Sequence, residues 1–499
     1  MQFGIFYEHQ IPRPWAEGEE HQLFKDALEQ VEVADRIGIE YVWEVEHHFL
    51  EEYSHSSAPE VFLAACSQRS KNIRLGHGIV LMPPNYNHPA RVAERIATLD
   101  LISDGRVEWG TGESASRAEL EGFNVPPGDK KAMWAETVRE TAKMLASDPY
   151  PGYDGEFFSM PERNIVPKPL QKPHPPLWVA CSNRESIRWA GKHGIGALTF
   201  AFIEPEEAKY WVDEYYTVFE NECEPLGQAV NPTIAMVAGF MCHENAETAR
   251  AQGLEGFQFF GYALSHYYRH GIHIPGEFDI WADFQQNKPE RKKGSGSGCI
   301  GSPDEIRAHL ETMEEIGVDQ VVFLQQAGNN EHDHICESLE HFAQNVLPDF
   351  KARHEIYAAQ KAERLGPAIE KAHSKISPID KPKFTPFEAY PLLKAPEEKQ
   401  EDLEIVKSIA GKKSDSESTN QRRSGFVYSS MNWPERRPVV PRSVYSSIRL
   451  FALHLRKTLK LLAFFSADYS SNRLAHRFYC IFNIRLSMCQ REKHRMRGM

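Results

Sequence analysis

Along the first 350 or so residues, short apolar runs alternate with longer stretches whose apolar positions recur at helical spacing. QFGIFY (2–7) is short and rich in aromatic and β-branched residues, the pattern of a buried strand. From Glu19 to Ile37 the positions Leu23, Ala27, Leu28, Val31 and Ala34 predict a helix, and Gly38 stands where a C-cap belongs. EYVWEV (40–45) reads as the second strand, PEVFLAACSQRS (59–70) as a helix and IRLGHGIVLM (73–82) as the third strand. HPARVAERIATLDLIS (88–103) is helical, RVEWGTG (106–112) a strand, and a longer helix lies around 130–146 before a proline-rich excursion over 149–176. The pattern continues with the strand PLWVACS (176–182), a helix over 184–193, the strand GALTFAF (196–202) and a helix over 204–223. Two more strands are PTIAMVAGFMC (232–242) and DQVVFLQQ (319–326). Eight strands, nearly all followed by helices, predict an α/β fold: a (β/α)8 TIM barrel with insertions, with a doubly wound sheet as the alternative.

The pattern stops near residue 352. Residues 353–425 are rich in Lys, Glu, Pro and Ser and read as a disordered linker. Residues 426–499 form a basic extension containing SIRLFALHLRKTLKLLAFF (447–465), either a membrane-surface helix or an extension without function. The segment NKPERKKGSGSGC (287–299) is polar and glycine-rich, a mobile lid or a solvated connector.

Composition narrows the function. The chain carries 57 Lys and Arg against 70 Asp and Glu, but residues 411–499 hold 18 of the former and 5 of the latter. The preceding 410 residues therefore carry 39 against 65, a charge that repels phosphate backbones and argues against nucleic-acid binding. Eight scattered cysteines without a CxxC pair argue against a zinc site or a disulfide framework and suit a reducing compartment. The N-terminus lacks a signal-peptide pattern and no uncharged apolar run reaches about 18 residues, so the expected location is the cytoplasm, without a transmembrane segment.

The candidate chemistry centres on EVEHHFLEEY (44–53). His47 and His48 follow the second strand, and in a barrel that end opens on the catalytic mouth. Histidine titrates near neutrality and suits proton handling. Adjacent histidines on an extended chain diverge, which weakens a metal reading. By themselves the residues leave an ordinary polar loop, a catalytic site and a metal site all open. GTGESA (110–115) lacks the third glycine of a dinucleotide fingerprint, although Gly110 and Thr111 at a strand end could let a flat ring or phosphate approach, if they do not simply form a tight turn. Ser182 stands at an expected helix N-cap beside backbone amides suited to phosphate. NEHDHI (330–335) reads as the acidic start of the last helix, and no phosphate-loop, zincin or serine-hydrolase motif is present.

Taken in order, FGIF (3–6), ADRIGIEYVWEVEHHF (34–49), IRLGHGIVLMPPNYNHPARVAERIATLDLISDGRVEWGTG (73–112), WVACSNRESIRWAGKHGIG (178–196) and GSPDEIRAHLETMEEIGVDQVVFLQQAG (301–328) resemble the bacterial luciferase-like, flavin-dependent monooxygenase family. The resemblance covers residues 1–352 and implies a barrel that uses reduced FMN and O2 to oxygenate an apolar small molecule, such as an aldehyde or alkane, through a C4a-peroxyflavin. It implies a separate flavin reductase and a homodimer. His47 matches the family's catalytic histidine and His48 its neighbour. His77 and Gly78 match a position where the family often has a non-prolyl cis peptide beneath the flavin, and Ser182 matches a phosphate-binding serine. Glu113 departs from the pattern, standing where luciferases carry a phosphate-contacting arginine. Deazaflavin-dependent oxidoreductases and non-catalytic luciferase-like subunits share the fold and are the alternatives.

Overall fold

Eight parallel strands close a barrel in the computed structural model of the protein, which describes residues 1–200, 202–287, 296–379 and a few positions between 386 and 405. The strands are β1 (Gln2–Tyr7), β2 (Tyr41–Glu44), β3 (Arg74–His77), β4 (Val107–Gly112), β5 (Leu177–Cys181), β6 (Gly196–Thr199), β7 (Ile234–Cys242) and β8 (Gln320–Gln326). Each pairs with the next, and β8 returns to β1 with Gln2 opposite Gln320, so the ring has no free edge. The doubly wound alternative is thereby excluded. All of these elements lie in one unit, Met1–Glu388.

Side-chain alternation sorts the strands into a lumen and an outer layer. Trp43 of β2 meets Trp178 of β5 edge-on at 5.2 Å, and Phe6 of β1 meets Phe200 at 5.2 Å. These strands are not neighbours, so the contacts cross the lumen. Glu108 is buried there, accepting from Trp178 Nε1 at 2.6 Å and paired with Arg74. Room for Trp43 comes from Gly76, where a Cβ would lie 2.3 Å from its ring. On the outer face, Phe3, Phe240 and Phe323 pack against Phe342 of the helix His332–Asn345.

Helix ends follow local chemistry. Glu19–Ile37 begins with two glutamates and ends at Gly38, whose φ of 91° lets its N–H reach Ala34 O. Pro303–Glu315 starts with a Ser302/Glu305 capping box.

Two expectations need correction. The third strand is not continuous over 73–82: it stops at His77 and resumes as Val80–Leu81 beside Thr111 and Gly112 of β4. Gly78 N–H still makes the last rung to β2, donating to Glu44 O at 2.7 Å as Arg74 N does to Glu40 O, and beyond it the chain pairs with β4 alone. The chain also does not become linker at residue 353. Leu347–His373 is one helix, held at the bottom of the barrel by Asp319, which accepts from Lys361 Nζ at 2.7 Å, Tyr357 at 3.3 Å and Ile234 N at 2.8 Å, and also from Tyr216. Composition could not show these tertiary partners. The basic extension 426–499 and most of the expected linker beyond Ile379 lie outside the described residues, as do residues 288–295 of the candidate lid.

Asp319 joins the final helix to two strand ends. Asp319→Ala is expected to lower the free energy of unfolding by about 3 kcal/mol, because it strands a lysine and three donors. Lys209→Ala, which removes an exposed i,i+4 pair with Asp213, is expected to cost less than about 0.5 kcal/mol. Urea denaturation of both variants checks the contrast.

Candidate active site

Backbone strain concentrates at the C-terminal end of the barrel. Seven described non-glycine residues have positive φ, and five of them (His9, Phe49, Glu51, Ser114 and Phe202) follow β1, β2, β4 and β6 at the mouth. Such conformations persist only where the surroundings enforce them, and they cluster at functional sites.

The floor of the mouth is glycine-lined. Gly78 faces Phe6 and Trp43, while Gly110 and Gly112 face Ile79. At Gly110 a Cβ would lie 1.9 Å from His77 O, so only glycine fits there.

Above this floor His47 sits between two buried carboxylates. Its Nδ1 is 3.0 Å from Glu119 Oε1, and its Nε2 is 3.6 Å from Glu8 Oε2. Glu8 directly follows β1, and Glu119 comes from the short helix Arg117–Gly122. Glu119 also accepts from His48 N at 2.9 Å and Ser114 Oγ at 2.5 Å, while Tyr53 OH donates to Glu8 Oε1 at 2.9 Å. Burial alone would push the imidazole of His47 down; Glu119 and Glu8 outweigh it and hold the pKa up at about 9. Burial raises Glu8 to about 7 against the pull of His47 and Tyr53. Burial also works to raise Glu119, yet His47 and Ser114 keep it below the ordinary carboxylate range. Glu119 is therefore the permanent counter-ion, Glu8 shares a proton near neutral pH, and His47 is an imidazolium. A cation fixed in a largely buried mouth is suited to stabilising negative charge on a ligand.

The profile of the luciferase-like monooxygenase family matches residues 1–320. The chain belongs to that family. It is 27% identical over 361 residues to the oxygenase component of a flavin-dependent trigonelline monooxygenase from Acinetobacter baylyi, covering 70% of this chain and 96% of the relative. The crystal structure of the monooxygenase RslO1 from Streptomyces bottropensis superposes with a TM-score of 0.58 at 25% identity, over 70% of this chain and 100% of that one. An F420-dependent glucose-6-phosphate dehydrogenase from Amycolatopsis mediterranei is 22% identical over 335 residues, 66% of this chain and 95% of that one.

In this member of the family the other expected site residues occupy varied places. His48 turns away from His47, with Nε2 3.3 Å from Glu46 and its ring on Phe123. Strand alternation turns the His77 ring out of the lumen, where burial pushes its pKa down to about 4 and leaves it neutral. Only its backbone reaches the floor. The described cis peptide bonds all precede proline, so the non-prolyl cis bond expected at His77–Gly78 is absent there. Thr111 is buried, and its hydroxyl donates to Trp178 O at 2.8 Å, clasping β4 to β5. Ser182 is exposed and does not cap the next helix: Asn183 does, with Ser186 closing the capping box. Glu113 is met by Lys130 Nζ at 3.1 Å, which also donates to Ser114 O at 2.6 Å.

The glutamates of EVEHHFLEEY hold the mouth together. Glu44 lies 3.0 Å from His9 Nε2 and accepts from Ser56; Glu46 accepts from Leu81 N at 2.7 Å and Asn87 Nδ2 at 2.9 Å. Glu51 binds Arg13 and Gly276 N at 2.7 Å, and Glu52 binds Arg13 N, Ile280 N and Trp281 N. Among the described residues no group of three or more His, Cys, Asp or Glu could hold a metal ion. Within NEHDHI, His332 begins a helix and faces Glu29 at 3.7 Å.

Sequence reading missed Glu8, Glu119, Lys130 and the tyrosine Tyr268, whose OH lies 3.4 Å from His47 Nδ1. Glu8 was findable by applying the strand-end rule to β1. Glu119 and Tyr268 lie 72 and 221 residues from His47 and carry no local signal.

His47 has a folded pKa above its unfolded one. Its pairing therefore contributes stability that is complete below about pH 6.5 and lost as pH rises through about 9. The stability difference between the wild type and His47→Asn should be constant from pH 5.5 to 6.5 and shrink towards pH 9.5, as read from urea midpoints at each pH.

Proposed function

We propose that the protein is an oxygenase that uses reduced FMN and O2 to oxygenate an apolar small molecule, with His47 as its central catalytic residue. The observation that carries this reading is the His47 imidazolium, held between Glu8 and Glu119 above a glycine floor. When bound, reduced FMN supplies the two electrons with which one atom of O2 enters the substrate and the other leaves as water.

The residues present suit that cofactor. Gly78, Gly110 and Gly112 let Phe6, Trp43, Ile79 and the His77 carbonyl pack closely at the floor, an apolar surface on which a flat ring would rest. Glu113 Oε2 and Glu8 Oε2 are buried without a hydrogen-bond partner, acceptors suited to hydroxyl or imide N–H donors. Lys130, exposed Ser182 and the N-terminus of the helix Arg184–His193 would hold a phosphate. Lys130 answers the difficulty raised by Glu113, since the carboxylate is neutralised and the same cation faces the end of β4.

The chain's own groups then have distinct tasks. The imidazolium stabilises charge on a reacting oxygen, Glu8 returns or accepts a proton, and the aromatic rim of Tyr53, Tyr86, Phe123 and Tyr268 keeps water out. The rim also favours an apolar substrate. The oxygenase-component relative supports a separate reductase as the source of reduced flavin, and the described cysteines, all free, are in keeping with the cytoplasm. The homodimer belongs to the same proposal. The similarity to an F420-dependent relative makes the deazaflavin reading the alternative.

Anaerobic titration with reduced FMN and with reduced F420 separates the two, followed by oxygen uptake with aldehydes and alkanes of graded chain length. The expected result is tight binding of FMN and substrate-dependent oxygen consumption, with Lys130→Met weakening FMN by about tenfold or more. Preference for F420 with turnover that needs no oxygen overturns the reading.

A further inference from the structure

Tyr268 enters the mouth by an unusual route. The helix Ala246–Ser265 does not end as an α-helix but continues through a π-helical turn, His266–His270. π-turns shift the register of the side chains they carry, and they recur at functional sites. This one is fastened on its far side. Gly271 N donates to His266 O at 2.9 Å, His266 Nε2 is 3.3 Å from His273 Nδ1, and His273 Nε2 is 3.2 Å from Glu51. The fastening aims Tyr268 at His47, its OH 3.4 Å from Nδ1 and its ring centroid 6.3 Å from the imidazole.

The hydrogen-bond bookkeeping around His47 gives Tyr268 a definite role. An imidazolium has two N–H donors and no acceptor. Nδ1–H points to Glu119, with the Tyr268 oxygen as a second, longer acceptor, while Nε2–H faces Glu8. The Tyr268 oxygen can therefore only accept from His47, which leaves its own hydrogen for the mouth. Tyr53 differs, because its hydrogen is committed to Glu8. Burial, with Glu119, Glu8 and Tyr86 nearby, raises Tyr268 well above the ordinary phenol value and keeps that hydrogen in place.

We propose that Tyr268 is a positioning residue for the oxygenation reaction, its phenol oxygen steadying the protonated His47 ring while its hydroxyl hydrogen is presented to an acceptor oxygen of the ligand. The inference rests on the functional reading above, and on the groups that face His47: Glu8 after β1, Glu46 on its own segment, Tyr53 and Glu119, with Tyr86 beside Glu119.

The test uses the full chain labelled with 15N-histidine, with His47 assigned by comparison with His47→Asn. Removing an acceptor that favours the charged ring in Tyr268→Phe should lower the His47 midpoint by about 0.5 to 1. Tyr267→Phe, in the same turn but with its hydroxyl on His273, should leave it unchanged. An unmoved midpoint in Tyr268→Phe overturns the proposal, and so does an equal shift in both variants, which would mean only that the turn had loosened. A second arm follows reoxidation of bound reduced FMN by oxygen without substrate. Its pH profile should move with the His47 midpoint in Tyr268→Phe, and an unmoved profile overturns the link to the reaction. Absence of FMN binding would sink the functional reading while the NMR arm still decides the role of Tyr268.

Discussion

The mouth of this barrel is organised by one buried charge arrangement, an imidazolium between two carboxylates. Glu119 and Glu8 are both almost fully buried, and a carboxylate in that position is costly unless it is paired and hydrogen-bonded. Around His47 the pairing is supplied by residues from the ends of β1 and β2, the short helix after β4 and the π-turn beyond β7. These segments are separated in sequence. The charge triad thus does two things at once: it fixes the loops that form the mouth, and it places a permanent cation above the glycine floor.

The polar stretch that carries His47 extends this logic outward. Glu44 points to His9 and Ser56 and Glu46 to Leu81 and Asn87, while Glu51 and Glu52 together clasp the segment that contains Gly276, Ile280 and Trp281. That clasp and the π-turn aim Tyr268 inward. A run that looks like solvated charge in one dimension is a set of anchors in three.

The barrel was legible because each strand is a short apolar run bounded by a capped helix; Gln2–Tyr7, Glu19–Ile37 and Arg184–His193 fall where periodicity and capping residues place them. Its misreadings share one cause, tertiary contact overriding local pattern. The third strand breaks where the chain passes from its last rung on β2 to pair with β4 at Val80–Leu81, and the final helix persists because Asp319 holds Lys361 and Tyr357. In the site, the strand-end rule located His47. It could not tell that His77 faces outward, that Thr111 is committed to Trp178, or that Asn183 rather than Ser182 caps the helix. Glu119 and Tyr268 come from a short helix after β4 and a π-turn after β7 that no periodicity announced, and Lys130 opens the expected helix at 130–146, whose pattern does not say that its amine turns to Glu113.

The central claim is that His47 is a cation at physiological pH, and its most direct test is the titration of that one ring in the wild-type protein. Nitrogen-15 chemical shifts of labelled histidine, followed from pH 5 to 10.5, report the protonation state of both ring nitrogens. The charge arrangement predicts a midpoint near 9, with both nitrogens protonated at pH 7. A midpoint at or below the ordinary value of about 6.5, with one nitrogen unprotonated at pH 7, would contradict it.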